Sequence, residues 1–303
     1  MKSLTKLTLL AISFLLLACQ NKPETQNEET TNPKTEYTYL DLSDEFKSHW
    51  FDGKAEVASY NLTQMRYGET REGSAVLIFV KEPFLPGAQV KANTASDETL
   101  DVMKLNFTKK FNTGIYPYSI MQSVFSPLTT QPHAVKVTAS TQEWCGQTYM
   151  QLNNREQFEV KVHSYFEGEA DQDLKLEKQF LENELWIKLR INPKDIPQGE
   201  LDVIPDFSFF RLKHKPVKAY QAEIIQTSNK DTLVTSLKYK DIDRILNIYQ
   251  DSKFPYQILK WEEKTSENDE NFTQAVLQKS MKIDYWNKNS NKFLRLRDSL
   301  DLR

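Results

Sequence analysis

The sequence predicts a mainly β protein with one large curved antiparallel sheet, shaped as a half-barrel or a sandwich, and one or two short helices. The first observation is the alternation of apolar and polar residues over several segments, the pattern of strands that bury one face and expose the other. The second is the placement of turn-forming residues between those segments, at the spacing of hairpins. With 303 residues, 39 % of them hydrophobic, the chain can bury a sizeable core.

Four segments show the alternation most clearly. Residues 158–163 place apolar side chains on even positions and polar ones on odd positions. Residues 135–140 and 185–191 follow the same period, as do residues 277–285 with one interruption. Residues 75–80 are apolar throughout, which predicts a strand covered on both faces. Each of these segments is therefore predicted to be a strand.

Glycine, proline and asparagine mark the connections between the predicted strands. Tyr67-Gly68 begins a hairpin loop that extends to Gly73. Residues 192–199 form a loop after the strand that ends at position 191, and residues 229–231 join two further strands. The chain is therefore predicted to be a meander of hairpins.

One segment fits both the helical and the strand period. Residues 242–249 carry apolar side chains at helical spacing, while residues 244–249 also read as a strand. The strand is favoured, because residues 256–261 look like its hairpin partner. Short helices are predicted at residues 45–50 and 293–302.

The N-terminus has the pattern of an export signal. Lys2 and Lys6 precede an apolar run at residues 7–17, which ends at Ala18-Cys19. The run is too short for a permanent membrane span, which needs about twenty residues. The pattern resembles a bacterial lipobox, which implies cleavage before Cys19 and diacylation of its thiol. An ordinary signal peptide that contains a cysteine is the alternative.

Three regions are predicted along the chain. Residues 1–18 are the lipoprotein signal peptide, and residues 19–36 are the lipidated cysteine and a disordered tether. The tether lacks aliphatic and aromatic side chains and so cannot offset its ordering entropy by burial. Residues 37–303 are the β domain. A loose echo between residues 54–56 and 218–220 would be explained by two related half-sheets.

Composition and spacing exclude several functions. The formal net charge of −3 argues against nucleic acid as a partner, since that calls for a basic patch. No glycine-rich phosphate loop occurs, and no cofactor is expected. The four histidines lie far apart in sequence, so no metal site is expected. If Cys19 carries lipid, Cys145 has no partner for an intramolecular disulfide.

Catalytic candidates are few. Cys145 could be a nucleophile if His133 or His163 approached it, but it lies in a segment of strand character where a buried structural role is favoured. The carboxylates of residues 167–173 could perform acid/base hydrolysis or bind a cation, although a solvated acidic turn is favoured. No catalytic or metal-binding residue is therefore assigned.

Aromatic residues form two clusters. Residues 107–125 include Phe111, Tyr116, Tyr118 and Phe125, and residues 204–210 include Phe207. Aromatic side chains provide large apolar area, and tyrosine adds a polar group, as in ligand grooves and partner surfaces. We predict these five residues as ligand-binding candidates. Packing in the core remains the alternative for both clusters.

The chain resembles two kinds of envelope protein. Tyr60, residues 66–69 and residues 73–75, followed by long hairpins, look like the half-barrel of periplasmic lipoprotein carriers. That resemblance implies an apolar groove for acyl chains and no catalytic residue. The polar segment after Cys19 is similar to that of uncharacterised Bacteroidota lipoproteins, and the absence of Asp at Gln20 implies an outer-membrane destination, on its periplasmic or surface face.

Chains of this kind are sometimes labelled as septum formation inhibitors of the Maf type. Maf proteins are cytoplasmic nucleotide pyrophosphatases with a Ser-x-Ser-x-Arg-Arg motif, and this sequence contains no Arg-Arg pair. The expected function is therefore a non-catalytic binding or assembly module of the cell envelope. Its expected partners are the membrane, through the N-terminal lipid, and an apolar ligand or an envelope protein. An envelope hydrolase that uses Cys145 or a carboxylate pair is the alternative.

Overall fold

The fold is seen in a computed structural model that describes residues 37–302. The predictions on the signal peptide, on Cys19 and on the tether lie outside the described residues. The described residues belong to one compact unit, Tyr37–Arg303. None of the helices within residues 37–302 has the length and apolar composition needed to cross a membrane.

Sixteen strands and four α-helices make up the described chain. The strands are β1 Ala55–Arg66, β2 Glu69–Leu85, β3 Val90–Lys91, β4 Leu100–Thr113, β5 Tyr116–Pro127, β6 Lys136–Glu143, β7 Gly146–Asn154, β8 Phe158–Ser164, β9 Gln172–Leu176, β10 Phe180–Leu181, β11 Gly199–Ile204, β12 Tyr220–Asn229, β13 Thr232–Tyr239, β14 Ile245–Asp251, β15 Ile258–Lys264 and β16 Thr273–Ile283. The helices are α1 Asp44–Trp50, α2 Glu182–Ile191, α3 Phe207–Lys213 and α4 Arg295–Ser299.

All sixteen described strands belong to one sheet. Its order is β10-β11-β12-β13-β14-β15-β16-β1-β2-β4-β5-β6-β7-β8-β9, with β3 paired to β2. Neighbouring strands are antiparallel except for β10 and β11. The predicted mainly β, antiparallel fold is therefore confirmed, as one large open sheet. Two of the four α-helices in the described chain, α2 and α3, were not predicted.

The sheet curves strongly. Its two edge strands are consecutive in the chain, because β9 ends at Leu176 and β10 begins at Phe180. An extended chain of that length spans at most about 14 Å, so the opposite edges of the sheet lie near each other. The concave face therefore encloses most of the core.

The alternation in the sequence matches the two faces of the sheet. In β1, Tyr60 and Leu62 are buried on the concave face. Val57, on the opposite face, packs with Leu300 from the C-terminal segment. Residues 75–80 are buried or half-buried at every position. The strand prediction for residues 244–249 is confirmed by β14, and its hairpin partner is β15.

Residues 185–191 are helical, so the prediction of a strand there is wrong. Eight of the ten residues of α2 are buried, including Glu184 and Arg190. A helix surrounded by protein on all sides has no polar stripe, and so its apolar residues can mimic a period of two. Glutamate, leucine, lysine and arginine favour the helical state of this segment.

The interior of the curved sheet is filled by α2. Trp186 of this helix packs edge-on against Phe107 of β4 and Trp261 of β15, with ring centroids 5.1 and 5.3 Å apart. At the end of the helix, the Arg190 guanidinium donates to both carboxylate oxygens of Glu56 at 2.7 and 2.8 Å. These contacts fix α2 against β1, β4 and β15 in the middle of the sheet.

The remaining helices pack on both faces of the sheet: α1 and α3 contribute to the main core, and α4 leads into Leu300, which packs on the convex face. As predicted, α1 begins near residue 45; Ser43 caps it by accepting a hydrogen bond from the backbone N–H of Phe46. The predicted C-terminal helix is a 3-10 turn at Asn291–Phe293 followed by α4. The aromatic segment 204–210 leads into α3, which Asp206 caps.

Candidate functional site: an aromatic rim

One end of the sheet exposes large apolar side chains on neighbouring hairpin turns. The turns that follow β1, β4, β6 and β8 lie at the same end, because the intervening strands are antiparallel neighbours. Each turn carries an exposed residue, namely Tyr67, Ile115, Trp144 or Tyr165, with exposed fractions of 61, 85, 68 and 75 %. We call these four residues, together with the half-buried Tyr116, the aromatic rim.

Arg66 holds the first turn of the rim. It is the last residue of β1 and only 8 % exposed. Its guanidinium donates to the carbonyl oxygen of Leu212 in α3, and to the hydroxyls of Tyr67 and Tyr118 at 3.0 and 3.3 Å. The same group lies 4.1 Å from the centre of the Tyr67 ring. One buried cation therefore fixes Tyr67 in place, although the turn itself has a positive φ of 55°.

Stacked rings connect the first turn to the next two. Phe111 and Tyr118 face each other across the β4–β5 hairpin, with centroids 4.8 Å apart and nearly parallel planes. Tyr116 lies 5.9 Å from Tyr118 and 6.3 Å from Trp144 of the β6–β7 turn. The buried rings of Phe111 and Tyr118 thus support a continuous row of more exposed ones.

The row continues to the fourth turn. The ring of Tyr165 covers the backbone of Gly146, where an added Cβ would lie only 2.8 Å from the ring. Beside it, the Arg211 guanidinium stacks on Phe166 at 3.9 Å and donates to Glu143 at 3.1 Å. Glycine at position 146 is therefore required for this contact between turns.

The two hydroxyls beneath the rim differ in acidity. Burial opposes ionisation of Tyr67, but its hydrogen bond with Tyr118 and the charge of Arg66 outweigh burial and lower its pKa. Burial raises the pKa of Tyr118, and its hydrogen bond to Tyr67 raises it further. The two oxygens lie 3.0 Å apart and share a hydrogen bond.

The five predicted ligand-binding residues do not lie together. Phe111, Tyr116 and Tyr118 belong to the rim or its support. Phe125 lies on the opposite face of β5 toward its other end, 5.3 Å from Phe84. Phe207 is fully buried in α3. The prediction missed Arg66 and the exposed residues at the other turns, although bulky apolar residues at turn positions were a usable signal.

Cys145 is exposed in the turn between β6 and β7, so the prediction of a buried strand position is wrong. The reason is local, because Trp144 and Cys145 are the two turn residues of a tight hairpin. The backbone N–H of Cys145 donates to the Glu143 carboxylate at 2.7 Å. A hydrogen bond with the same carboxylate raises the pKa of the thiol, which opposes thiolate formation.

The predicted partners of Cys145 are engaged elsewhere. His133 contacts Glu184 at 3.0 Å, and His163 contacts Asp171 at 3.3 Å. In the acidic segment, Glu169 pairs with His214. Within residues 37–302, no group of three or more His, Cys, Asp or Glu side chains could hold a metal ion.

Fold and surface together define a class: a mainly β protein with one large curved sheet, a helix inside it and an aromatic surface at one end. No family model matches the sequence, and no curated protein matches it either. A similar solved structure is the crystal structure of a beta-barrel-like protein of domain of unknown function DUF1849 from Brucella abortus. Its sequence is 10 % identical, the match covers 76 % of this chain and 98 % of that one, and the TM-score is 0.46.

Proposed function

We propose that this protein is a non-catalytic binding or assembly module of a bacterial cell envelope, anchored by lipid on Cys19. The aromatic rim is its contact surface. The single observation that carries the proposal is the row of exposed Tyr67, Ile115, Trp144 and Tyr165 on neighbouring turns. Contiguous exposed apolar residues mark interaction sites, and tryptophan, tyrosine and arginine are frequent in binding hot spots.

The packing beneath the rim supports this role. Arg66, Phe111 and Tyr118 are each less than a tenth exposed and hold the exposed rings through hydrogen bonds and stacking. A surface that is already ordered loses little side-chain freedom when a partner binds. The rim is therefore suited to binding without rearrangement.

The packed interior favours an external contact over an enclosed ligand. A carrier of acyl chains needs an apolar groove, and α2 occupies the corresponding space inside this sheet. Trp186 and Ile187 of the helix are buried against the strands. We therefore propose that the apolar ligand or envelope protein binds at the rim.

The charges of the buried carboxylates support a non-catalytic role. Burial raises the pKa of Glu263, but Lys109 and Arg244 outweigh burial and bring it to about 2. Glu56 is affected in the same way by Arg190 and also has a pKa of about 2. A general acid or base works best with a pKa near the operating pH. Glu263 and Glu56 are therefore poorly suited to be the carboxylate pair of the hydrolase alternative.

Chain connectivity supports presentation of the rim to a partner. The described chain enters at the end of the sheet opposite the rim, where Tyr39 pairs with Thr129 beyond the end of β5. A tether joining Cys19 to this point has an average reach of roughly 20–25 Å. Attachment at that end leaves the rim free for contact.

The rim is tested by photo-crosslinking in intact cells. A photoreactive amino acid replaces Ile115 at the rim or, as a matched control, Ile225 on β12, which is 47 % exposed. We expect a discrete crosslinked species from position 115 and none from position 225. Equal labelling from both positions, or none from either, would refute the rim as a contact surface.

The anchor is tested separately. We expect the wild-type chain in the membrane fraction with a diacylated N-terminal Cys19, and the Cys19→Ala variant unprocessed. Intact-mass spectrometry of both chains provides the measurement. An unmodified cysteine on the wild-type protein would disprove the lipid anchor and leave the crosslinking result unaffected.

A further inference from the structure

A groove of about 420 Å³ lies on the convex face of the sheet, between the strands and the C-terminal segment, residues 284–302. Its floor includes Val57 of β1 and Val76 and Ile78 of β2. Phe293 and Leu296 of the C-terminal segment belong to the facing wall. Small-molecule sites usually have volumes of about 300–1,000 Å³, so the groove is large enough for a ligand.

The apolar side chains of this groove are only partly covered by the protein itself. Val76 and Ile78 pack in one cluster with Val57 and Leu300, yet both remain half-buried. Phe293 and Leu296 are half-buried on the opposite wall. Removing apolar surface from water is favourable, so an apolar ligand that covered these side chains would be stabilised. The floor and the wall therefore suit a hydrocarbon chain better than a polar group.

The charged side chains of the groove all have one sign. The lining contains Lys110, Lys288 and Arg297, and among the described residues no aspartate or glutamate belongs to it. Lys288 pairs with Asp284 outside the lining at 2.8 Å, whereas Lys110 and Arg297 are exposed. Cations beside an apolar floor complement a molecule that combines a hydrocarbon chain with an anionic head group.

The C-terminal segment also exposes apolar side chains next to the groove. Tyr285, Trp286 and Leu294 are 38, 44 and 60 % exposed. The Nζ atom of Lys292 lies 4.9 Å from the centre of the Phe293 ring. Tryptophan and tyrosine are enriched where proteins meet the surface of a membrane, and lysine accompanies them on surfaces that bind anionic lipids. The surface around the groove therefore has the composition of a membrane contact.

The groove lies toward the end of the sheet at which the described chain begins. Ile283, the last residue of β16, pairs with Ala55, the first residue of β1, at the end opposite the aromatic rim. The C-terminal segment starts from there. At the same end, Tyr39 pairs with Thr129. A tether from a lipidated Cys19 would reach roughly 20–25 Å on average, which would hold this end of the domain close to the membrane.

We infer that the groove binds an anionic phospholipid of that membrane, with one acyl chain against Val76 and Ile78 and the phosphate beside Lys110 and Arg297. The choice of a membrane as the source of the lipid rests on the proposed anchor. The groove goes beyond that anchor, because it is a second contact with the membrane and is made by the folded domain. Such a contact would orient the domain with the aromatic rim pointing away from the membrane.

Lipid binding is tested without the anchor, by flotation of residues 19–303 carrying Cys19→Ser. The probes are vesicles of phosphatidylcholine and vesicles of equal parts phosphatidylcholine and phosphatidylglycerol. We expect an affinity about tenfold higher for the anionic vesicles, and a smaller difference at high salt, because the cations beside the groove attract the head groups. Equal binding to both kinds of vesicle, or binding to neither, would overturn the inference.

A substitution that fills the groove tests whether an acyl chain enters it. Val76→Trp places a large apolar side chain on the floor. Met121→Trp is the matched control, because Met121 lies in the same cross-strand row, through Thr108, but outside the groove. We expect Val76→Trp to weaken binding to the anionic vesicles and Met121→Trp to leave it unchanged. A contact made only by the exposed surface would be kept or strengthened by an added tryptophan, so unchanged binding by Val76→Trp would overturn the inference.

A charge reversal tests the head-group contact and does not depend on how the floor tolerates a larger residue. Lys110→Glu should lower the affinity for the anionic vesicles about tenfold. Lys175→Glu is the matched control, because Lys175 is exposed on β9 at the edge of the sheet. Thermal unfolding of each variant checks that the fold is intact. Unchanged binding by Lys110→Glu would overturn the inference, even if Val76→Trp did not fold.

Two further outcomes separate this inference from its alternatives. If light scattering showed a dimer of the wild-type chain that Val76→Trp dissociates, a second copy would fill the groove and the inference would be overturned. If the vesicles are not bound while Cys19 is diacylated and crosslinking from position 115 persists, the inference fails and the proposed function stands. If the vesicles are bound and Cys19 is unmodified, only the anchor of the proposed function fails.

Discussion

Two aromatic groups in this molecule both contain tryptophan but differ in exposure and in the contacts that hold them. Inside the sheet, Phe107, Trp186 and Trp261 pack edge to face and are almost fully buried. At the rim, Tyr116 and Trp144 stack in a row that is open to solvent. Burial of apolar surface by the interior group stabilises the fold, whereas hydrogen bonds from buried side chains hold the rim residues in place. Aromatic content alone therefore does not distinguish a core from a contact surface.

The largest expected effect is in the interior group. Trp261→Ala should lower the free energy of unfolding by about 3–5 kcal/mol, because a fully buried aromatic ring is removed and a cavity remains. Urea denaturation followed by circular dichroism measures this change. A loss below about 1 kcal/mol would show that the interior is loosely packed and that α2 does not fill it.

The ion pair between Arg190 and Glu56 should contribute nearly as much to the free energy of unfolding. The pKa of Glu56 is about 2, against a usual 4.5, so its contribution is complete above pH 4.5 and is lost as the pH falls toward 2. Glu56→Gln should cost roughly 3 kcal/mol at neutral pH, from about 1.4 kcal/mol per pKa unit. Denaturation midpoints between pH 7 and pH 3 provide the measurement.

The exposed Glu159 gives the matched control for that measurement. Glu159→Gln should leave both the stability and its pH dependence within about 0.5 kcal/mol of wild type. If the Glu56→Gln variant kept the wild-type decline in stability below pH 4.5, other groups would cause the acid sensitivity.

A smaller effect on stability is expected from Tyr118, which lies beneath the rim. Tyr118→Phe removes a hydrogen bond to Tyr67 and one from Arg66, and should cost about 1 kcal/mol. The pKa of Tyr67 should also rise toward its usual value of 10, since the hydrogen bond with Tyr118 that lowers it is gone. Ultraviolet titration of phenolate absorbance tests this, with Tyr149→Phe as the control. An unchanged titration would show that this hydrogen bond does not control the pKa of Tyr67.

The smallest effect on stability is expected at the rim itself. Trp144→Ala should change the free energy of unfolding by less than about 0.5 kcal/mol, because 68 % of this residue is exposed. The same substitution should reduce crosslinking from position 115. A large loss of stability with normal crosslinking would make Trp144 a structural residue.

Much of the sheet was predictable because its strands bury one face. Alternation located the segments that became β6, β8 and β16, and turn residues located the connections from β1 to β2 and from β12 to β13. Helix α2 was not predictable in this way, since eight of its ten residues are buried and its polar residues do not form an exposed stripe at helical spacing. Hydrophobic periodicity reports on a boundary with water, and α2 has little of one.

The candidate site was predictable only in part. Phe111 and Tyr118 share a hairpin, so their contact follows from local pairing. Tyr118 and Phe125 are seven positions apart on one strand, and an odd separation places them on opposite faces. Trp144 and Tyr165 lie beside the other rim residues because their hairpins are neighbours in the sheet. That order is set by the whole sheet and not by any short segment.

The pairing of β1 with β16 has a consequence for how the chain reaches its native state. This seam joins residues more than 200 positions apart, such as Ala55 and Ile283, in the middle of the sheet. Contacts of such long range slow folding, and the sheet cannot be completed before its last strand is available. A chain truncated before Thr273 would leave β1 and β15 as open edges, which are templates for aggregation. Under the proposed function, export of the unfolded chain would delay that closure until β16 has crossed the membrane.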